Sequence, residues 1–228
     1  MTRTHADVSR AFSTAPPTRS QAGGAGPTTR RVAATVATTV ALGLLAGACT
    51  GAAGGTAVMG SSRVTPGQLA GWFHTKGSGG SATTPVEWLA YFFVTEGAAE
   101  GVAGDLAFVQ AMVETGWLRF SARMPRDANN FSGIGAVDGG SGAAWFPTAQ
   151  LGVRAQIQHL KAYADPTADP STLANPLIDP RFHLVNRGIA PTWEQFGNGI
   201  WATDPGYAGK IQRLRADLLA YATAHPEL

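Results

Sequence analysis

A second cysteine is missing: Cys49 is the only one in 228 residues. No intramolecular disulfide can form, so the fold must stand on its core alone. Metal-ligand spacing is missing as well. There is no His-Glu-x-x-His helix and no Cys pair, and His159 and His183 stand apart from any ligand pattern, so no metal and no cofactor is expected. Gly133 and Gly135 lack the preceding strand and following helix that a phosphate-cradling loop requires. Charge is sparse, at 14% Asp, Glu, Lys and Arg, with a formal net charge of +2. Even this excess belongs to the front of the chain. Arg3, Arg10, Arg19, Arg30 and Arg31 precede residue 32, where Asp7 is the only acid, which leaves 12 basic against 14 acidic residues from Thr50 onward. The later part therefore gives no ground for a nucleic-acid partner, which usually needs a basic face on the folded domain.

The front of the chain does hold one long apolar run. Arg30-Arg31 is followed by Val32 to Ala48, rich in Ala, Val and Leu and without charge, ending in Ala46, Gly47 and Ala48. A basic flank, an apolar centre and small residues at the end read as an export signal over 1–49. Cys49 follows at once, which resembles a bacterial lipoprotein cleavage box, although Leu45 stands one position too early. Three fates are compatible with this pattern: lipidation at Cys49, cleavage and secretion, or retention as an anchor, since 17 to 18 apolar residues nearly span a bilayer. Each places the remaining chain outside the cytoplasm. A membrane is thus expected only through the leader or a lipid on Cys49.

Residues 50–84 read as a flexible linker holding one short helix. Thr65-Pro66-Gly67-Gln68 supplies an N-cap, a Pro at the first helical position and a Gln at the third, and Leu69, Trp72 and Phe73 follow. Thr84-Pro85-Val86-Glu87 opens a helix over about 85–96, punctuated by Gly97, Gly101 and Gly104. Asp105 is placed to cap a helix reaching about Thr115, with Leu106, Val109 and Val113 on one buried stripe. Residues 120–147 lack helical period and read as loop or a small β-hairpin. Thr148 begins a helix to about Ala164, and Asp165 to Pro180 is a Pro-rich loop. In the last helix Asp204 caps, Pro205 takes the first position, and Tyr207, Ile211, Leu214, Leu218 and Tyr221 share one face. The fold class is mainly α (α+β), one domain over 85–228 with a lobe inserted after its second helix.

Glu114 is the foremost chemical candidate. It sits beside the apolar stripe in the last turn of its helix, before Gly116, whose left-handed freedom ends helices. The negative end of the helix dipole, and burial against Trp117 or Phe120, would both raise its pKa. Such a Glu holds its proton near neutral pH and can deliver it to a leaving oxygen. The plain alternative is an exposed Glu near a helix end.

Three blocks add to this. Phe108-Val-Gln-Ala-Met-Val-Glu-Thr-Gly-Trp117 resembles the Ala-Gln-x-x-x-Glu-Ser/Thr-Gly-Trp helix end of bacterial glucosaminidases, grouped as family 73 glycoside hydrolases. Asn129-Asn-Phe-Ser-Gly-Ile-Gly135 is similar to their Asn-Asn segment, with Ser132 in place of an aromatic. Trp201-Ala-Thr-Asp-Pro-Gly-Tyr-Ala-Gly-Lys-Ile211 resembles their late motif. The blocks come in family order and span about 86–222. The resemblance implies a lysozyme-like fold that cuts the β-1,4 bond after N-acetylglucosamine in peptidoglycan, with Glu114 as general acid and glycan strands as partner to a monomer. It also implies a second carboxylate in the lobe. Asp127 and Asp138 are the only carboxylates between Glu114 and Trp145, and Asp138, in its Gly-flanked loop, is the candidate, though the family's residue there is Glu. The substrate's 2-acetamido group is the other source of a nucleophile. Tyr207 is implied to assist the reaction or to place the acetamido group; packing with Ile211 is the alternative. Asn129 and Asn130 would orient Glu114 or a sugar, or merely form a turn. Trp117, Trp145, Trp193 and Trp201 offer flat faces to sugars or to the core, and Trp145 and Trp201 are the groove candidates. A lytic transglycosylase and a non-catalytic wall-binding protein on a hydrolase fold are the competing readings.

Overall fold

The computed structural model describes residues 55–77, 80–136 and 142–228; the leader, Cys49 and Asp138 lie outside the described residues. Five helices carry the fold: α1 (Pro66–Thr75), α2 (Val86–Glu100), α3 (Gly104–Glu114), α4 (Ala149–Ala164) and α5 (Tyr207–Ala224). Among the described residues there is no strand, only the isolated bridges Ala57–Thr192, Met59–Val102 and Ser121–Met124. The mainly α class holds, and the lobe takes its loop-rich form. None of the described helices is long and apolar enough to cross a membrane.

The start signals act locally as their chemistry predicts, with small shifts. Thr65 and Gln68 exchange the two bonds of a capping box, and Thr148 Oγ1 accepts from the Leu151 amide at 3.2 Å. Three starts differ. α2 begins after Pro85, α3 begins at Gly104 so that Asp105 lies within its first turn instead of capping it, and α5 begins at Tyr207, two residues beyond Pro205. Asp204 instead ties the turn ahead of α5, accepting from the Gly206 amide at 2.8 Å and pairing with Lys210 at 2.7 Å.

α3 was expected to bury one stripe, but it is buried all round. Every residue from Gly104 to Met112 is buried, Gln110 included. The sequence has the reason: between Asp105 and Glu114 the helix carries no charge, so no face of it prefers water. α2, α4 and α5 all pack against it.

The flexible-linker reading of 50–84 is corrected for the described part of that segment. Val58, Leu69, Trp72 and Phe73 join the main core, and α1 packs on α2 and α5. Trp72 Nε1 donates to Asp217 Oδ2 at 2.7 Å, fixing α1 to α5. Three large apolar side chains on one short helix need cover. The small residues around Ala57 lie along the domain and bridge to Thr192 and Val102.

Gly97 and Gly104 were expected to punctuate helix ends, yet they make the α2–α3 crossing. A Cβ on Gly104 would stand 2.1 Å from the Phe93 carbonyl oxygen, and one on Gly97 would stand 2.8 Å from Gly104 Cα. Gly104→Ala is therefore expected to force the helices apart at a cost of about 2 kcal/mol. Thermal unfolding should show a Tm lowered by roughly 6 °C; an unchanged Tm would mean the crossing is soft.

Candidate active site

α3 delivers Glu114 as its last residue, and the chain turns away at once. Gly116, Trp117, Leu118 and Phe120 all have φ between 56° and 62°, three of them non-glycine residues in a region that costs them energy. Buried Thr115 holds the turn: its hydroxyl donates to Ala111 O at 2.7 Å and accepts from the Leu118 amide at 2.9 Å. Gly116 takes the left-handed conformation as expected. Trp117 does not bury Glu114, however. Its ring packs against Trp72, with centroids 5.1 Å apart, and against Phe73.

The Glu114 carboxyl opens into a cavity of about 640 Å³. Its Oε1 accepts from Trp201 Nε1 at 3.0 Å and from the Tyr207 hydroxyl. Its Oε2 makes no hydrogen bond among the described residues and faces Gly133, where an added Cβ would stand 3.8 Å away. A carboxyl whose one oxygen is occupied by two donors must carry its proton on the other. Burial raises the Glu114 pKa, and the bonds from Tyr207 and Trp201 pull it partly back. Burial also pushes the Tyr207 hydroxyl well above its ordinary value, with the neighbouring Glu114 charge acting in the same direction. Tyr207 is thus a donor, held protonated.

The Asn pair shapes a wall of the cavity without lining it. Asn130 is fully buried, and its amide donates to Ile134 O at 2.9 Å and Ala144 O at 3.0 Å. Its carbonyl accepts from the Ser132 and Ile134 amides, both at 3.2 Å. Asn129, itself left-handed, accepts from Thr83 Oγ1 at 2.6 Å and donates to Phe146 O at 3.0 Å. Both amides are spent on protein atoms, so the pair acts by folding residues 130–136 beside Glu114. Ser132, the substituted position, lines the cavity with a buried Oγ that has no hydrogen-bond partner among the described residues.

Of the four candidate tryptophans, Trp201 lines the cavity, and its Nε1 clamps Glu114. Trp193 is fully buried core, and Trp145 is 61% exposed and does not line the cavity. Asp138 lies outside the described residues, as does Cys49. The residues missed in the sequence are His159 on α4 and Arg181, both lining the cavity, and Asp179 behind them. His159 and Asp179 were unmarked because they come from elements 20 residues apart, with no spacing motif joining them. No three His, Cys, Asp or Glu side chains gather as a metal cluster would need among the described residues.

An uncharacterized protein of Borreliella burgdorferi is 37% identical over 140 residues, covering 61% of this chain and 66% of that protein, so the match leaves about a third of the relative's length unaccounted for. No solved structure matches. A family model described as glucosaminidase, mannosyl-glycoprotein endo-beta-N-acetylglucosaminidase, matches residues 90–218, more than half of the chain and inclusive of Glu114, Trp201 and Tyr207. The chain belongs to the glucosaminidase family.

Proposed function

We propose that this protein is an exported wall hydrolase that cleaves the β-1,4 bond between N-acetylglucosamine and N-acetylmuramic acid, with Glu114 as general acid. The observation that carries this reading is the asymmetry of the Glu114 carboxyl. Oε1 is held by Tyr207 and Trp201, and Oε2 is free to present a proton to the cavity. Desolvation keeps that proton in place until a glycosidic oxygen takes it. Negative charge then develops on the carboxylate, where the two donors are already aimed, so they favour the charge-separated state over the resting acid. For the oxocarbenium-like centre that forms on the sugar we assign Asp138, with the substrate's acetamido oxygen as the other source of stabilisation. Membrane attachment through Cys49, or release from it, completes the proposal.

Muropeptide mass spectrometry tests the bond. Purified sacculi treated with the protein should yield reducing N-acetylglucosamine ends. Anhydro-muramic ends would instead make it a lytic transglycosylase, and strand binding without release would make it a wall-binding protein.

Tyr207→Phe tests the clamp. Losing a charge-assisted bond should lower kcat by about 10- to 100-fold. The general acid works only while protonated, so activity falls as pH rises through the Glu114 pKa. The Tyr207 bond is the larger of the two influences lowering that pKa. Its loss therefore moves the alkaline limb of the pH–rate profile upward; a limb that stays in place would show that Glu114 is not the titrating acid.

A further inference from the structure

The cavity is lined by an imidazole and a guanidinium that the chemistry above does not use. His159 projects from α4, its Nδ1 bonded to Asp179 Oδ2 at 2.7 Å, and its Nε2 has no hydrogen-bond partner among the described residues. The ring is held edge-on against Trp201 and Tyr163, with centroids 5.3 and 5.2 Å away. The Asp179 side chain is fully buried, and its other oxygen accepts from the Arg181 backbone amide at 2.8 Å. One buried acid thus fixes an imidazole by its ring and an arginine by its main chain. Gln158, buried on the same helix, fixes the acid's own segment by accepting from the Ile178 and Asp179 amides. The Arg181 guanidinium forms no ion pair or hydrogen bond among the described residues, although it borders the cavity.

The Arg181 guanidinium offers an unpaired positive charge, among the described residues, to an anion in the cavity. Glu114 is the only carboxyl among the described lining residues, and burial favours its neutral form. Asp179 sits behind the wall with both oxygens engaged. A planar guanidinium matches a carboxylate bidentately. The sugar rings of peptidoglycan carry no charge; its carboxylates are on the stem peptides and, where those are removed, on the lactyl ether of the muramic residue.

We propose that Arg181, anchored by Asp179 beside His159, forms a subsite for a carboxylate of the muramoyl side chain, so that the protein prefers charged wall strands to neutral N-acetylglucosamine polymers. This rests on the glycosidase reading for its substrate, but binding can test it without turnover. The affinity of Glu114→Gln would be measured for three preparations: intact strands, strands stripped of stem peptides by an amidase, and strands whose carboxylates are capped as methylamides. Arg181→Gln added to this background should weaken binding about 10- to 100-fold wherever a carboxylate is present and not at all on capped strands. Arg181→Lys, which keeps the charge, should recover part of the loss. A loss confined to intact strands assigns the stem peptide; one confined to stripped strands assigns the lactyl group.

Equal weakening on capped and uncapped strands, or none on either, would overturn the subsite. Capping tests the same point without any change at Arg181, because it should reduce the affinity of the Glu114→Gln background to that of the Arg181→Gln variant. If the unmutated protein releases no reducing ends while charge-dependent binding persists, the hydrolase reading fails and the carboxylate subsite stands.

Discussion

Glu114→Gln is expected to lower kcat/KM on sacculi about 10³-fold while leaving the fold at least as stable as before. The amide oxygen can still accept from Trp201 and Tyr207, so the clamp survives. What disappears is the proton on the position of Oε2, and with it the departure of the leaving oxygen. The stability arm has a definite sign. A carboxyl whose pKa is raised by folding binds its proton more tightly in the native state. Its contribution is fully present below the unfolded pKa and is lost as pH rises through the folded value. The Gln variant has no such loss. Urea unfolding should therefore find the two proteins alike at acid pH and the variant ahead at neutral and alkaline pH. Activity within tenfold of wild type would remove Glu114 from the acid's role. A variant less stable at high pH would mean the buried carboxyl is not strained by ionisation.

Glu100→Ala should be the most damaging single change to the fold, at about 3 to 5 kcal/mol. Glu100 on α2 is fully buried at its side chain and meets Lys161 of α4 at 2.8 Å. Its other oxygen accepts from the Asn175 amide at 3.1 Å, which draws the Pro-rich segment over the pair. Without Glu100 the ammonium keeps only the Thr172 carbonyl at 3.5 Å. An uncompensated buried charge is the dominant cost, more than the loss of attraction itself. Thermal unfolding should show Tm down by roughly 10 °C or more. The double variant Glu100→Leu with Lys161→Met removes both charges and should recover most of the loss. If the double variant is no better than the single, the cost lies in the anchoring of Asn175 instead. The same segment continues to Asp179, so Glu100→Ala should also loosen His159 and weaken strand binding.

The neighbouring pair behaves alike in structure. Arg154 grips Glu96 with two bonds, at 2.8 and 2.9 Å, and Gln150 adds a third at 2.7 Å. Both acids lie on the face of α2 that meets α4, and no local pattern marks them because their partners sit on a distant helix. Along α2, Trp88 and Tyr91 are exposed, whereas Leu89 and Phe93 are buried.

What the sequence determined by itself is local. Capping residues, helical periods and the three blocks around Glu114, Asn129 and Trp201 are short-range patterns, readable because their physics acts within a turn or two of chain. They placed the helices within a few residues, the mainly α class, Glu114 at the end of α3 and Tyr207 at the start of α5. Tertiary structure decided everything that depends on which surfaces meet. It drew α1 from an expected linker into the core, because Leu69, Trp72 and Phe73 had partners 20 to 150 residues away. It turned the Asn pair inward, where its amides satisfy a buried loop, and aimed Trp201 Nε1 at Glu114. It also joined His159, Asp179 and Arg181 at one cavity wall. A hydrogen bond between distant residues leaves no periodic trace in a single chain; only packing, which sets the distance and excludes the water, brings such a constellation into being.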